Sequence, residues 1–144
     1  MNPNKKSNAN NGKKAHLDDR YIKVGRIKFS SWAVLPMKAS DVIIFESKLI
    51  HIKNRHHQEL DTVGMTAMDF VLFIVKNFNT VRQGSGNSLL LVVERPNISN
   101  VAAIELTEVT ENGKECYKIN TATLWNNEQL QKKKKLCTNV HRLQ

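Results

Sequence analysis

Hydrophobic and polar residues alternate along the first apolar stretch of the chain, residues 21–36 (YIKVGRIKFSSWAVLP). Ile22 and Val24 alternate with lysines, and Gly25 then shifts the phase of the pattern. Period-two alternation is typical of a half-buried strand, and a phase shift is typical of a bulge, so we expect a strand pair or one bulged strand. The short apolar run at 41–45 (DVIIF) predicts another strand.

Two stretches with a helical period follow. Residues 48–60 contain no glycine or proline, and one stripe of the predicted helix carries Leu49, Ile52, His56 and Leu60. Residues 66–84 (TAMDFVLFIVKNFNTVRQG) are apolar on most sides at helical spacing, which predicts a long helix lying against a sheet. Thr66 is the predicted N-terminal cap of this helix, and Gly84 its predicted end.

The remaining apolar segments predict strands. Residues 88–96 predict a buried strand, and the alternating segments 101–109 and 116–125 predict a hairpin around the turn pair Asn112 and Gly113. The order of the elements indicates an α+β domain. In it, N-terminal strands and two helices pack on a C-terminal antiparallel β-meander of about four strands.

Charge is unevenly distributed along the chain. Residues 1–20 carry five basic and two acidic residues, and 132–144 carry five basic residues and no acidic one. Only +1 of the net charge of +9 therefore lies between them. We expect a flexible Asn/Lys-rich leader (1–19), a single α+β domain (20–128) and a basic tail (129–144). The positive charge favours a polyanionic partner, although the near-neutral middle does not by itself indicate nucleic-acid binding.

Neither a membrane span nor a secretory signal is visible in the sequence. The chain has no run of eighteen apolar residues, and its first residues lack the apolar core of a signal peptide, so we expect a cytoplasmic protein without membrane contact. Cys116 and Cys137 have no CxxC spacing, which predicts free thiols.

Histidine and arginine in the stretch KLIHIKNRHHQEL (48–60) form the first candidate site. His51 and Arg55 lie one helical turn apart, where an imidazole can move a proton and a guanidinium can hold a phosphate. His56 falls on the apolar stripe of the helix and is expected to point toward the core or its rim. The alternative is a solvated basic helix. The histidines of this helix do not converge on one point, so no metal site is predicted from it.

The late strand YKINTATLW (117–125) forms the second candidate site. Regular alternation places Tyr117, Thr121, Thr123 and Trp125 on one face, where hydroxyls could hold a phosphate and the tryptophan could stack on a base. The alternative is ordinary strand composition, because threonine is a good strand residue.

Together, these motifs resemble the barnase–EndoU–colicin–RelE-like superfamily of metal-independent ribonucleases, in particular its phage and polymorphic-toxin branches. The resemblance covers roughly residues 20–128 and rests on HIKNRH (51–56), on the long apolar helix with NFNTV (77–81) near its end, and on YKINTAT (117–123). It implies a cytoplasmic endoribonuclease without a cofactor, in which the ribose 2′-OH attacks the adjacent phosphate and leaves a 2′,3′-cyclic phosphate.

The resemblance also implies site residues and partners. The catalytic positions carried over are His51, Arg55, His56 and Thr121. The substrate-binding positions are Lys53, Tyr117, Thr123 and Trp125. Which of the two histidines moves the proton stays open. The implied partners are RNA, with tRNA or another structured RNA as the candidate substrate, and an immunity or antitoxin protein.

Two other functions compete with this interpretation. The same fold could bind nucleic acid or a protein without cleaving it, using its lysine-rich ends. A metal-dependent hydrolase would use His51 or His57 together with a distant carboxylate such as Glu59 or Glu94.

Overall fold

The structure, a computed structural model, describes residues 19–27, 39–109 and 113–138. These residues form an α+β fold, as predicted, in which four helices accompany a seven-stranded mixed sheet with the order β1-β2-β6-β5-β4-β3-β7. The elements are β1 (Tyr21–Ile27), β2 (Ser40–Phe45), α1 (Glu46–Arg55), α2 (His57–Val63), α3 (Ala67–Asn77), β3 (Thr80–Gln83), β4 (Leu89–Val93), β5 (Ile98–Val109), β6 (Lys114–Asn126), α4 (Asn127–Gln131) and β7 (Lys135–Thr138).

Strands β3 to β6 follow one another as antiparallel neighbours. The sheet extends beyond them on both sides, since β2 pairs with β6 in parallel and β7 pairs with β3. The seven-stranded mixed sheet is therefore larger than the predicted meander of about four strands.

The first strand is bulged where its hydrophobic pattern changes phase. The pairing of β1 with β2 shifts register between Lys23 and Gly25, which confirms the bulge predicted from the sequence. A Cβ atom at Gly25 would lie 2.6 Å from Cγ1 of Val75 in α3. Glycine at this position therefore lets the strand approach the helix closely.

The predicted helix over 66–84 is wrong in its second half. The helix ends at Asn77, and Thr80–Gln83 forms β3 instead. The apolar residues after Asn77 fit a helical and a strand period equally well, and long-range pairing decides between them. The amide of Asn79 donates to the carbonyl oxygen of Val92 at 2.9 Å, which starts the pairing with β4.

The predicted helix over 48–60 is two helices. His56 has φ −119° and ψ 27°, which ends α1 at Arg55 and lets α2 begin at His57. Positions beyond His56 therefore do not continue the helical stripes of α1. The start of α1 has no local side-chain cap. Instead, the Asp19 carboxylate accepts hydrogen bonds from the amide of Ser47 at 3.0 Å and from its hydroxyl.

The sheet continues into the segment that was predicted to be a basic tail (129–144). Helix α4 buries Leu130 completely, and β7 pairs with β3, so the ordered domain extends past residue 128 to Thr138. Four consecutive lysines hid this strand in the sequence. Of the predicted leader, residues 1–18 lie outside the described residues.

The core lies mainly between the sheet and helices α1 to α3. It contains Ile52, Phe70, Ile74, Leu91, Ile104 and Ile119, all almost completely buried. A smaller cluster on the opposite face packs Leu90, Val92 and Val101 around Leu130 of α4. Cys116 is a free, buried thiol, as predicted, and burial raises its pKa.

The cap of α3 gives a first stability prediction. The Thr66 hydroxyl accepts from the amide of Asp69 at 3.0 Å, so Thr66→Ala is expected to lower the free energy of unfolding by about 1 kcal/mol. Urea denaturation measures this change. The matched control is Thr62→Ala, because that hydroxyl only donates back to the Gln58 carbonyl within α2. Equal losses in the two variants would contradict the assignment of the cap.

Candidate functional site

His56 occupies the junction between α1 and α2. Its Nδ1 atom lies 2.7 Å from Oε1 of Glu59, three residues further along the chain. The imidazole is 20% exposed, so it lies at the rim of the core and remains open to solvent.

Glu59 also binds the late strand. The Thr123 hydroxyl, on β6, lies 2.9 and 3.0 Å from the two carboxylate oxygens of Glu59 and 3.4 Å from Nδ1 of His56. Residues from a helix junction, a helix and a strand therefore meet at one point. We call them the His56–Glu59–Thr123 cluster.

The hydrogen bonds of this cluster assign a role to each nitrogen of His56. An ionised carboxylate only accepts hydrogen bonds, so His56 donates from Nδ1 to Glu59, and the Thr123 hydroxyl donates to the same carboxylate. Nε2 then carries the lone pair in the neutral imidazole. A carboxylate behind a histidine fixes both its tautomer and its orientation. The cluster can therefore exchange a proton with a bound molecule at Nε2.

Glu59 was not among the residues predicted to act in a ribonuclease site. The sequence does carry a signal for it, because a histidine and a glutamate at i and i+3 come close on any helical turn. That spacing is common, however, and only the contact with Thr123 distinguishes this pair from a surface ion pair.

The predicted pair of His51 and Arg55 lies on the exposed side of α1. Among the described residues, neither side chain forms a hydrogen bond or an ion pair. With the half-buried Lys48 they form one stripe at i, i+3 and i+7, which we call the α1 basic stripe. Lys53 is also exposed, on another side of this helix.

A bulge in the late strand changes the predicted grouping of its side chains. The pairing of β5 with β6 shifts between Ala103 and Ile104, so that Asn120 is an extra residue on β6. Alternation reverses there, and the prediction that Tyr117 shares a face with Thr121 and Thr123 is wrong.

Tyr117 belongs to the helix-side core and is only 3% exposed, so it cannot take up a base in this structure. Thr121 and Trp125 are half-buried, and Trp125 packs against the core cluster around Leu130.

Glu94 takes part in a buried ion pair. Its carboxylate lies 3.3 Å from Nη2 of Arg82 and 3.8 Å from Nζ of Lys135. Arg82 is only 2% exposed and also donates to the backbone carbonyls of Lys133 at 2.8 Å and Leu130 at 3.4 Å. Within the described ranges, no group of three or more His, Cys, Asp or Glu side chains could hold a metal ion.

Comparison with known proteins adds no relative. No protein-family model matches the chain, and no significant match was found among curated proteins or solved structures. The similarity to the barnase–EndoU–colicin–RelE-like superfamily therefore stays a prediction. In the described part of the chain, every helix is too short or too polar to cross a membrane.

Proposed function

We propose that this protein is a metal-independent endoribonuclease and that the His56–Glu59–Thr123 cluster is its proton-transfer centre. The observation that supports the proposal best is the 2.7 Å contact between Nδ1 of His56 and Glu59, which leaves Nε2 for the substrate. In its succession of helices and antiparallel strands β3 to β6, the fold is compatible with the predicted barnase or RelE arrangement.

The proposed reaction needs one base and a way to hold phosphate. Nε2 of His56 accepts the proton of a ribose 2′-OH, and the 2′ oxygen attacks the adjacent phosphorus. The bond from phosphorus to the 5′ oxygen breaks, and that oxygen takes up a proton from solvent. The products are a 2′,3′-cyclic phosphate and a 5′-hydroxyl. The α1 basic stripe would contact neighbouring phosphates through Arg55 and Lys48.

Cleavage of RNA by the wild-type protein in excess chelator tests this proposal. Total RNA and purified tRNA are expected to give defined fragments with 2′,3′-cyclic phosphate ends. Activity that appears only after a divalent metal is added would overturn the metal-independent mechanism.

A binding module without activity is the second candidate. In its favour, the hydrogen bond between Thr123 and Glu59 can act as a structural link between α2 and β6, and His51 and Arg55 of the α1 basic stripe are exposed. This function predicts salt-dependent RNA binding in the same assay without any fragments.

The role of Glu59 can be tested separately. Glu59→Ala is expected to lower the cleavage rate by on the order of 10²-fold, because the imidazole of His56 loses the group that holds its orientation. RNA affinity should not fall, since the lost side chain carries a negative charge. The rate is measured at saturating RNA in excess chelator. Asp61→Ala, an exposed acidic residue on the same helix, is the matched control. Equal rates in both variants would exclude a positioning role for Glu59.

A further inference from the structure

Three cations surround one carboxylate on the first strands of the sheet. Oδ1 of Asp41 lies 2.8 Å from Nη1 of Arg26 and 3.4 Å from Nζ of Lys23, and Oδ2 lies 3.4 Å from Nζ of Lys114. These residues come from β1, β2 and β6, which are neighbours in the sheet. We call the four residues the Asp41 cluster. It was not recognised from the sequence, because Asp41 and Lys114 are 73 positions apart.

The Asp41 cluster has a net charge of +2, and its positive groups are outermost. The side chain of Asp41 is 17% exposed, whereas those of Lys23 and Lys114 are each 59% exposed and that of Arg26 is 42% exposed. Burial raises the pKa of Asp41, but hydrogen bonds from Arg26, Lys114 and Lys23 outweigh burial and hold it below its ordinary value. The carboxylate therefore stays ionised at neutral pH and holds the three cations together.

Most donors of Lys23 and Arg26 remain available to a ligand. A lysine has three N–H donors and an arginine five, and each of these two cations spends only one or two on Asp41. A fork of arginine donors beside an ammonium group suits the oxygens of a phosphate. The half-buried Asp41 carboxylate holds these two groups side by side.

The Asp41 cluster and Thr123 point away from the same core. Adjacent residues of a strand point to opposite faces of the sheet. Asp41 is next to Val42, and Thr123 is next to Ala122 and Leu124. Val42, Ala122 and Leu124 all pack in the helix-side core. Ile43, two residues after Asp41, pairs with Lys118 on β6. The cluster therefore lies beside the part of β6 that is five to nine residues before Thr123, about 17 to 30 Å away at about 3.3 Å per residue.

We propose that Lys23 and Arg26 form a phosphate-binding site that holds the RNA backbone at a distance from the His56–Glu59–Thr123 cluster. The choice of RNA as the polymer rests on the proposed function, whereas the phosphate site rests on the geometry of the Asp41 cluster. An extended RNA strand could occupy both sites at once and thereby be positioned for cleavage several nucleotides away.

Binding of a 2′-O-methyl RNA oligonucleotide at several salt concentrations tests this site without any contribution from cleavage. The double variant Lys23→Gln with Arg26→Gln is expected to bind more weakly. The slope of log affinity against log salt should fall in magnitude by about 1.4, at about 0.7 for each lost phosphate contact of a single strand. The matched control removes two exposed lysines near the C-terminal end of the described residues, Lys132→Gln with Lys134→Gln.

A variant of opposite sign strengthens the test. Asp41→Asn removes the only negative charge of the Asp41 cluster and is expected to tighten binding and steepen the salt dependence. Lys114→Gln provides a second loss of charge, and thermal unfolding identifies any variant that fails to fold. The proposed site would be overturned if the double variant and its control gave the same salt slope. It would also be overturned if the wild-type protein did not bind RNA. If the wild-type protein binds RNA without cleaving it, and the double variant binds more weakly, the phosphate site is supported and the proposed nuclease activity is refuted.

Discussion

Replacing His56 by alanine is expected to lower the rate of RNA cleavage by about 10²- to 10⁴-fold, the usual contribution of one general acid–base group. The reason is geometric. His56 is the histidine whose Nδ1 is held by a carboxylate, at 2.7 Å from Glu59, and whose ring still reaches solvent. Single-turnover rates on tRNA at saturating protein, in excess chelator, measure the chemical step without a contribution from binding.

His51→Ala is the matched control for this variant. It removes the same side chain from the neighbouring turn, but His51 is exposed and has no side-chain partner among the described residues. We expect its loss to weaken RNA binding at most, with little change in the single-turnover rate. If His51→Ala lost most of the cleavage rate while His56→Ala cleaved at nearly the wild-type rate, proton transfer would belong to the α1 basic stripe instead. Circular dichroism checks that both variants fold.

Replacing Arg82 by alanine is expected to lower the free energy of unfolding by about 3 kcal/mol, the lower end of the usual cost of breaking a buried ion pair, because the Glu94 carboxylate is 23% exposed and keeps Lys135 nearby. Arg82 donates to Glu94 and to the carbonyls of Leu130 and Lys133, so it fastens α4 and the approach to β7 onto the sheet. Its buried Nε has no partner within the described ranges, which offsets part of this stabilisation. Urea denaturation followed by fluorescence measures the change.

Arg55→Ala is the control for the Arg82 variant. Arg55 is exposed on α1, so its loss is expected to change the free energy of unfolding by less than about 0.5 kcal/mol. A loss below 1 kcal/mol in Arg82→Ala would show that the C-terminal helix and strand are held by apolar contacts such as those of Leu130 rather than by this network.

Local patterns in the sequence predicted most elements of the fold. The alternation around Gly25 predicted a bulged strand, and the bulge is present. Thr66 was predicted to cap a helix, and its hydroxyl accepts the expected hydrogen bond. The long hairpin of β5 and β6 was predicted from its two alternating segments. In each case residues close in sequence determine the outcome, through backbone sterics, capping or alternation.

The features that the sequence did not reveal depend on distant partners. The helix ends at Asn77 because the residues of β3 that follow it pair with residues of β4 that are six to twelve positions further along the chain. The strand after the lysine run forms because β3 offers it an edge. The bulge at Asn120 buries Tyr117, which regular alternation had placed beside Thr121.

The candidate site was predicted in the same partial way. His56 and Thr123 were predicted as ribonuclease site residues from their motifs, whereas Glu59, which joins them, was named only as a possible carboxylate of a metal-dependent hydrolase. Its carboxylate reaches a strand 64 positions away, a contact that no local pattern indicates.

Cleavage of an RNA oligonucleotide with a single 2′-deoxy substitution tests the proposed chemistry most directly. The cut site is first mapped on an all-ribose oligonucleotide, and the 2′-OH on its 5′ side is then removed. If His56 activates that hydroxyl, the wild-type protein will cut the all-ribose strand to a 2′,3′-cyclic end in excess chelator and leave the substituted strand intact. Cleavage of both strands at the same position, or of neither, would contradict the proposal.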